Sequence, residues 1–290
     1  MSSSVLSPPK HRYGPSSASA AGVLSIIAGV LSLLFGTITL ATSSSTLPRA
    51  LYLAVGGLMM LLGSLGIATG WGLLERSRWA QVAAIMWAIE LVSPSPPLPA
   101  DVAGWVGELI SIGIGIWWLM LFTGKAADEE FTSDSLGVPA AVLAVSWLLM
   151  LDLLSVPIAW LWKTPTFFYG HRVFVPYSQV LSTSLCFVSF VLGFALLKKS
   201  RLAFWLAFGL QVFRFTNSLV LDLTPSAAPE INREIANVLS RWQITGFSGI
   251  GRTFSFIEPA VMGVCLLLFW KRYKTSSYPT DYISAQSPLP

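Results

Sequence analysis

The feature that most constrains this chain is a series of continuously apolar runs, each long enough or nearly long enough to cross lipid. They fall at 20–41, 50–74, 79–92, 103–122, 138–162, 177–197, 202–223 and 254–270. A helix spanning the hydrocarbon core needs about 20 such residues. The runs lack the alternation of apolar and polar side chains that marks the strands of a membrane β-barrel. Composition agrees: of 290 residues, 54% are hydrophobic and 11% charged, against roughly 25% charged in an ordinary soluble domain. At a mean hydropathy of +0.67, too few charges remain to cover a surface facing water. A disordered chain is poor in apolar residues, and a disulfide scaffold needs more than two cysteines. The expected fold class is all-α, a polytopic transmembrane helix bundle of about eight spans.

Two runs need comment. The third is short and stops at Ser93-Pro94-Ser95-Pro96-Pro97-Leu98-Pro99, where prolines cannot continue a helix. The first follows Lys10 and Arg12, as in the basic start of a signal peptide. Its apolar length exceeds the roughly 7–15 residues of a cleaved signal, so it reads as a retained span.

Lysine and arginine concentrate in cytoplasmic loops. With eight spans both termini share a side. That side carries Lys10, Arg12, Arg76, Arg78, Lys125, Lys198, Lys199, Arg201, Lys271, Arg272 and Lys274. The other carries only Arg49, Lys163, Arg172, Arg233, Arg241 and Arg252. The asymmetry places both termini in the cytoplasm. Clusters beside an anionic leaflet account for the pI near 9.2, and no basic stretch is interleaved with aromatics in a soluble domain, so no nucleic-acid partner is expected.

The segment from Gly70 to Ala84 recurs 123 positions later: Gly70, Leu73, Leu74, Ser77, Arg78, Ala80 and Ala84 reappear as Gly193, Leu196, Leu197, Ser200, Arg201, Ala203 and Ala207. Each copy ends one span, makes a tight basic turn and starts the next. The alternative is a common hairpin that arose twice from one composition. Duplication predicts two four-helix halves arranged as parallel repeats. The organisation expected is a disordered tail at 1–19, a membrane half at 20–124, an acidic linker at 125–137, a second half at 138–274 with an outer interfacial helix near 229–247, and a disordered tail at 275–290.

The wording Gly-x-Gly-Leu-Leu-x-x-x-Arg-Trp-Ala at 70–80 resembles that of uncharacterised bacterial multi-pass membrane proteins sharing such a helical-hairpin turn. The resemblance covers roughly fifteen residues per half. It implies a bacterial inner-membrane protein and no particular activity.

Two glycine series stand out, Gly22, Gly29 and Gly36 in the first run and Gly56, Gly63 and Gly70 in the second. Helices in lipid gain little from burying apolar surface, so small residues that let backbones approach form the contacts. A seven-residue period keeps one stripe facing a partner. These two helices are expected to form a close antiparallel hairpin.

Ionisable groups inside spans are costly and mark function by default. They are Glu90, Glu108, Asp152, Arg214 and Glu258. Glu90 and Arg214 lie at matching depth, and the repeat puts them at equivalent places, so they are the expected ion pair. Pro157 is positioned to break the fifth helix near Asp152, and Pro259 marks a first turn or a kink. The acids either bind a proton or cation during transport or serve as hydrogen-bonded glue between helices.

Only His11 and His171 occur, neither inside a span, so no haem ligand is available there. Cys186 and Cys265 lie in different spans. There is no phosphate-binding loop, no His-Glu-x-x-His and no Gly-x-Ser-x-Gly. No cofactor, metal or catalysis is expected. The leading expectation is a structural or accessory subunit of a membrane assembly, with the lipid bilayer and other membrane subunits as partners. The alternative is a small-solute or cation/proton-coupled transporter with a polar site in the outer half of the membrane.

Overall fold

A computed structural model describes residues 17–41, 49–93, 102–131, 137–162, 166–224 and 256–276, together with Pro229, Arg233 and Ala236. In chain order the helices are α1 (Ser17–Ala41), α2 (Arg49–Leu74), α3 (Arg78–Val92), α4 (Val102–Phe122), α5 (Lys125–Glu130), α6 (Ala140–Leu151), α7 (Ser155–Trp162), α8 (Tyr177–Leu197), α9 (Arg201–Leu223) and α10 (Ile257–Ser276). The tails, and the interfacial helix expected at 229–247 apart from Pro229, Arg233 and Ala236, lie outside the described residues; those three are helical and exposed.

This is a multi-pass membrane architecture. Among the described residues six helices are long and apolar enough to cross a bilayer: Ser17–Ala41, Val55–Leu74, Gly104–Phe122, Ala140–Pro157, Tyr177–Leu197 and Arg201–Leu223. The helices of the other two runs, α3 and α10, are not among these six. α3 has 15 residues, about 22 Å at 1.5 Å per residue, short of the roughly 30 Å hydrocarbon core. Its residues Ala80, Ala84, Ile85, Ala88 and Ile89 are fully buried, as in a core helix. α10 carries Lys271, Arg272 and Lys274 in its final turns. Large apolar side chains on α1, α2, α4, α8 and α9 face outward, the surface expected where lipid is the solvent.

The closest helix pair is α1 with α2. A Cβ added at Gly22 would lie 2.9 Å from the Gly70 carbonyl, at Gly29 2.6 Å from that of Gly63, and at Gly36 2.9 Å from that of Gly56. Only glycine permits such approach. Ser25 donates across the seam to the Gly66 carbonyl at 2.8 Å, and Ser32 to that of Met59 at 2.9 Å.

The two basic turns have the same backbone. The amide of Ser77 bonds the Gly72 carbonyl and that of Arg76 the Leu73 carbonyl; in the second turn Ser200 bonds Ala195 and Lys199 bonds Leu196. This is the Schellman helix ending. Its left-handed residue is Arg76 (φ 58°) in one turn and Lys199 (φ 57°) in the other. Gly70 meets the Gly22 carbonyl of the preceding helix, and Gly193 meets that of Ser146 in α6. α1–α2–α3–α4 and α6–α8–α9–α10 thus pack in the same sequential order.

The fifth apolar run is interrupted. α6 gives way to a 3₁₀ turn at Asp152–Leu154 before α7 begins. Pro157 has no amide to donate to the Leu153 carbonyl four residues back, and its ring crowds that carbonyl. Beyond α7 a two-stranded antiparallel hairpin, β1 (Thr166–Phe168) and β2 (His171–Val173), pairs Phe167 with Arg172. Its two-residue turn, Tyr169-Gly170, has positive φ at both positions, the geometry that matches strand twist in tight hairpins.

Candidate functional site

Four of the five ionisable span residues converge on one region. Arg214, thirteen residues into α9, donates through one guanidinium nitrogen to Asp152 Oδ2 at 2.5 Å and to Ser189 Oγ at 2.6 Å. The side chains are 24% and 27% exposed for Arg214 and Asp152, so this pair is neither on the open surface nor fully enclosed. Asp152 sits at the start of the 3₁₀ turn, where the helix break directs it toward α8 and α9. Glu258 lies in the first turn of α10, a position where the positive end of the helix favours a carboxylate. It stands in the electrostatic field of Glu90, Asp152 and Arg214. Glu90 in turn feels Asp152.

The pairing differs from the sequence expectation. Arg214 bonds Asp152 and not Glu90. Matching depth pointed to Glu90, and neighbourhood overrides it: α9 and the 3₁₀ turn both pack on α8, whereas α3 packs on α2, α4, α6 and α10. Glu90 is exposed at the outer end of α3, beside the fully buried Ala88 and Ile89. The Glu90 carbonyl accepts from the Ser93 amide at 3.1 Å, but among the described residues neither the Glu90 nor the Glu258 carboxylate makes a hydrogen bond or ion pair. Glu108, on α4, is half-buried and is not among the charges acting on Glu90 or Glu258.

The four residues come from α3, the turn after α6, α9 and α10. At 1.5 Å per residue, Glu90 lies about 18 Å from Arg78, Asp152 about 18 Å from Ala140, Arg214 about 20 Å from Arg201, and Glu258 about 22 Å from Tyr273. All four therefore sit at one level, well away from the basic turns. On the far side the β-hairpin closes against α9. The Tyr169 amide donates to Asn217 Oδ1 at 2.7 Å, and Phe168 and Tyr169 pack on the ring of Phe213.

The basic end is tightly joined, and sequence reading missed how. Arg78, 8% exposed, donates from Nη1 to Asp128 Oδ1 at 2.6 Å and to Gln81 Oε1 at 2.6 Å, and from Nη2 to the Val138 carbonyl at 3.0 Å. The fully buried Gln81 donates to the Phe122 carbonyl at 2.7 Å and to Asp128 at 3.2 Å. Arg272 reaches Asp128 Oδ2 at 3.4 Å. Asp128, on the short α5, thus bridges the start of α3 and the end of α10. Arg76 pairs with Glu130 at 3.1 Å. The segment expected as a linker is in part a packed element, with Phe131 buried against Phe122. The buried Tyr273 donates to the Leu196 carbonyl at 3.0 Å, tying α10 to the second basic turn.

No protein-family model, curated protein or solved structure matches this chain.

One further residue joins the site from the fold alone. Gln211 is 1% exposed, and neither its amide nitrogen nor its oxygen has a hydrogen-bond partner among the described residues. It lies one turn from Arg214 on the same face of α9, opposite Gly263 of α10. The signal was legible in principle: Gln81, Ser189 and Gln211 are polar residues inside apolar runs, and each faces inward.

Proposed function

We propose that this protein is a membrane transporter whose polar site, built by Glu90, Asp152, Arg214 and Glu258, faces the non-cytoplasmic side, with an eight-crossing chain and both termini in the cytoplasm of a bacterial inner membrane. The observation that carries this reading is the convergence of four ionisable side chains from four segments, spanning both halves, at one depth. Charges serving only as glue between neighbouring helices are expected to be paired where they stand. Glu90 and Glu258 make no such pair among the described residues, while the Arg214 guanidinium is taken by Asp152 and Ser189.

The distribution of tight packing supports the same reading. The basic end, assigned to the cytoplasm by the excess of lysine and arginine, is tied by Asp128 to Arg78, Gln81 and Arg272. The polar site lies toward the opposite end. A polar site toward one end, with the other end joined by bonds that can exchange, suits alternating access between two repeats. The shared geometry of the two turns supports duplication as the origin of those repeats. An accessory subunit needs none of these features.

The test is solute uptake and pH-dependent flux in proteoliposomes across a broad panel. Wild type is expected to show saturable flux, reduced at least tenfold in Glu258→Gln and in Arg214→Ala. Absence of flux for every solute and ion in well-folded, oriented protein returns the accessory-subunit reading to first place.

A further inference from the structure

We propose that this protein holds an anionic phospholipid at its basic end, with the phosphate between Arg201 and Lys274 and the top of the acyl chains on the exposed ring of Trp205. The site is independent of the transport reading and needs only that the chain lies in a bilayer.

The packing of α9 against α10 sets the positions. The buried Tyr273 donates its hydroxyl to the Leu196 carbonyl at 3.0 Å and to the Ser200 carbonyl at 3.3 Å. The last turns of α10 therefore lie against the turn between α8 and α9. One turn deeper, the ring of Trp270 stands 5.0 Å from that of Trp205 and 4.7 Å from that of Phe204. α9 leaves the basic end and α10 returns to it. Arg201 is four residues before Trp205, and Lys274 is four after Trp270; residues four apart share a helix face. Arg201 and Lys274 thus stand side by side, one turn nearer the basic end than the tryptophan pair. Both are exposed, as are Lys198 in the turn and Lys271 on α10.

The surface just below these cations is apolar. Trp205 is 47% exposed, and Leu202 and Leu206 beside it are exposed as well. A tryptophan ring at the end of a span belongs at the headgroup level. A free anion would use only the cations. Charge above and apolar surface directly below suit a molecule with phosphate at one end and hydrocarbon at the other. A guanidinium gives a phosphate two parallel N–H bonds, and an ammonium adds a point charge.

The first basic turn shows that this arrangement does not follow from the hairpin itself. The residue corresponding to Arg201 there is Arg78, which is 8% exposed and bonded to Asp128, Gln81 and the Val138 carbonyl. Its neighbour Arg76 pairs with Glu130. α5 brings carboxylates to the first turn, whereas α10 brings Lys271 and Lys274 to the second. One hairpin is used twice, once as a buried joint and once as an exposed cationic edge. Positive charge gathered at that edge gains from an anionic headgroup.

The experiment titrates the full chain in mixed micelles with phosphatidylglycerol and with phosphatidylcholine of the same acyl chains. Bound lipid is read by native mass spectrometry, and stability by the thermal midpoint, which a ligand of the native state raises. Saturable retention of phosphatidylglycerol is expected, well above that of phosphatidylcholine. Arg201→Gln and Lys274→Gln should each weaken it about fivefold, the weight of one charge at an anionic surface. Lys125→Gln, the same loss of charge on α5, should leave it within about twofold of wild type. Trp205→Leu should weaken the lipid and leave glycerophosphoglycerol, the headgroup without chains, unaffected. Where a variant does not fold, wild type with phosphatidylglycerol carrying a photoreactive group at the top of one chain replaces it, and Leu202 and Trp205 should be labelled ahead of α1 and α2. Equal retention of the two lipids, equal weakening by Lys125→Gln, or labelling spread evenly over the helices overturns the proposal. Glycerophosphoglycerol or inorganic phosphate binding as tightly as the lipid makes this a site for free anions and overturns it too.

Discussion

Arg214 and Asp152 are 62 residues apart in sequence and meet at 2.5 Å, with Ser189 accepting from the same guanidinium nitrogen. The pair ties α9 to the break between α6 and α7 across α8. It explains why a helix interruption, which sacrifices backbone hydrogen bonds, persists at this point: the break delivers a carboxylate to the arginine of the site.

The strength of that link is measurable. A fully exposed ion pair contributes under about 1 kcal/mol, and breaking a fully buried one costs about 3–5 kcal/mol. With each side chain about a quarter exposed, Arg214→Ala and Asp152→Ala are each expected to cost about 1–3 kcal/mol. The double variant should lose at least about 1 kcal/mol less than the two combined. Unfolding in mixed micelles checks this, and strict additivity would remove the pair from the account.

The α1–α2 seam predicts a contrast between neighbouring glycines. A Cβ at Gly63 would lie 2.7 Å from the Gly29 carbonyl, whereas one at Gly57 meets nothing within 4 Å. Gly63→Ala should therefore destabilise by about 1–3 kcal/mol, the range for overpacked sites. Gly57→Ala should stay within about 0.5 kcal/mol of wild type. Equal thermal midpoints for the two variants would show that backbone approach is not what holds the hairpin.

Asp128 offers a test of the seal at the basic end. Asp128→Asn removes the carboxylate that bridges Arg78 and Arg272 and leaves Arg78 largely buried without an anionic partner, at a cost of about 2–4 kcal/mol. A cysteine at Ala84, fully buried one turn beyond Ala80, should react several-fold faster with a membrane-impermeant thiol reagent in that background when the reagent is supplied from the basic side. An unchanged rate would mean that the hub stabilises the fold without closing it.

Orientation is checked independently of any solute. The exposed His171 in β2 and Lys198 in the second basic turn lie at opposite ends of α8. In intact cells His171→Cys should be labelled by an impermeant maleimide, and Lys198→Cys only after permeabilisation. The reverse pattern would invert the topology and turn the site toward the cytoplasm.

Much was legible before any coordinates. Run length and the scarcity of charge fix the solvent, because unpaired backbone and ionic groups are expensive in hydrocarbon. The seven-residue glycine spacing marks the seam, since close approach depends on a local repeat that any reader can count. The residues Glu90, Asp152, Arg214 and Glu258 were identifiable one by one, as ionised groups in apolar runs. Pro157 announced the interruption beside Asp152.

The partners were not legible. Matching depth pointed Arg214 to Glu90, and one-dimensional spacing carries no information on which helix stands beside which. Only the packing of α9 and the 3₁₀ turn against α8 selects Asp152. In the same way Asp128 looks like a solvated linker charge until α3 and α10 are brought to it. The sequence by itself determined which stretches leave water, because that depends on the composition of each stretch. The tertiary structure alone decided which charges meet, because such contacts depend on neighbours far away along the chain.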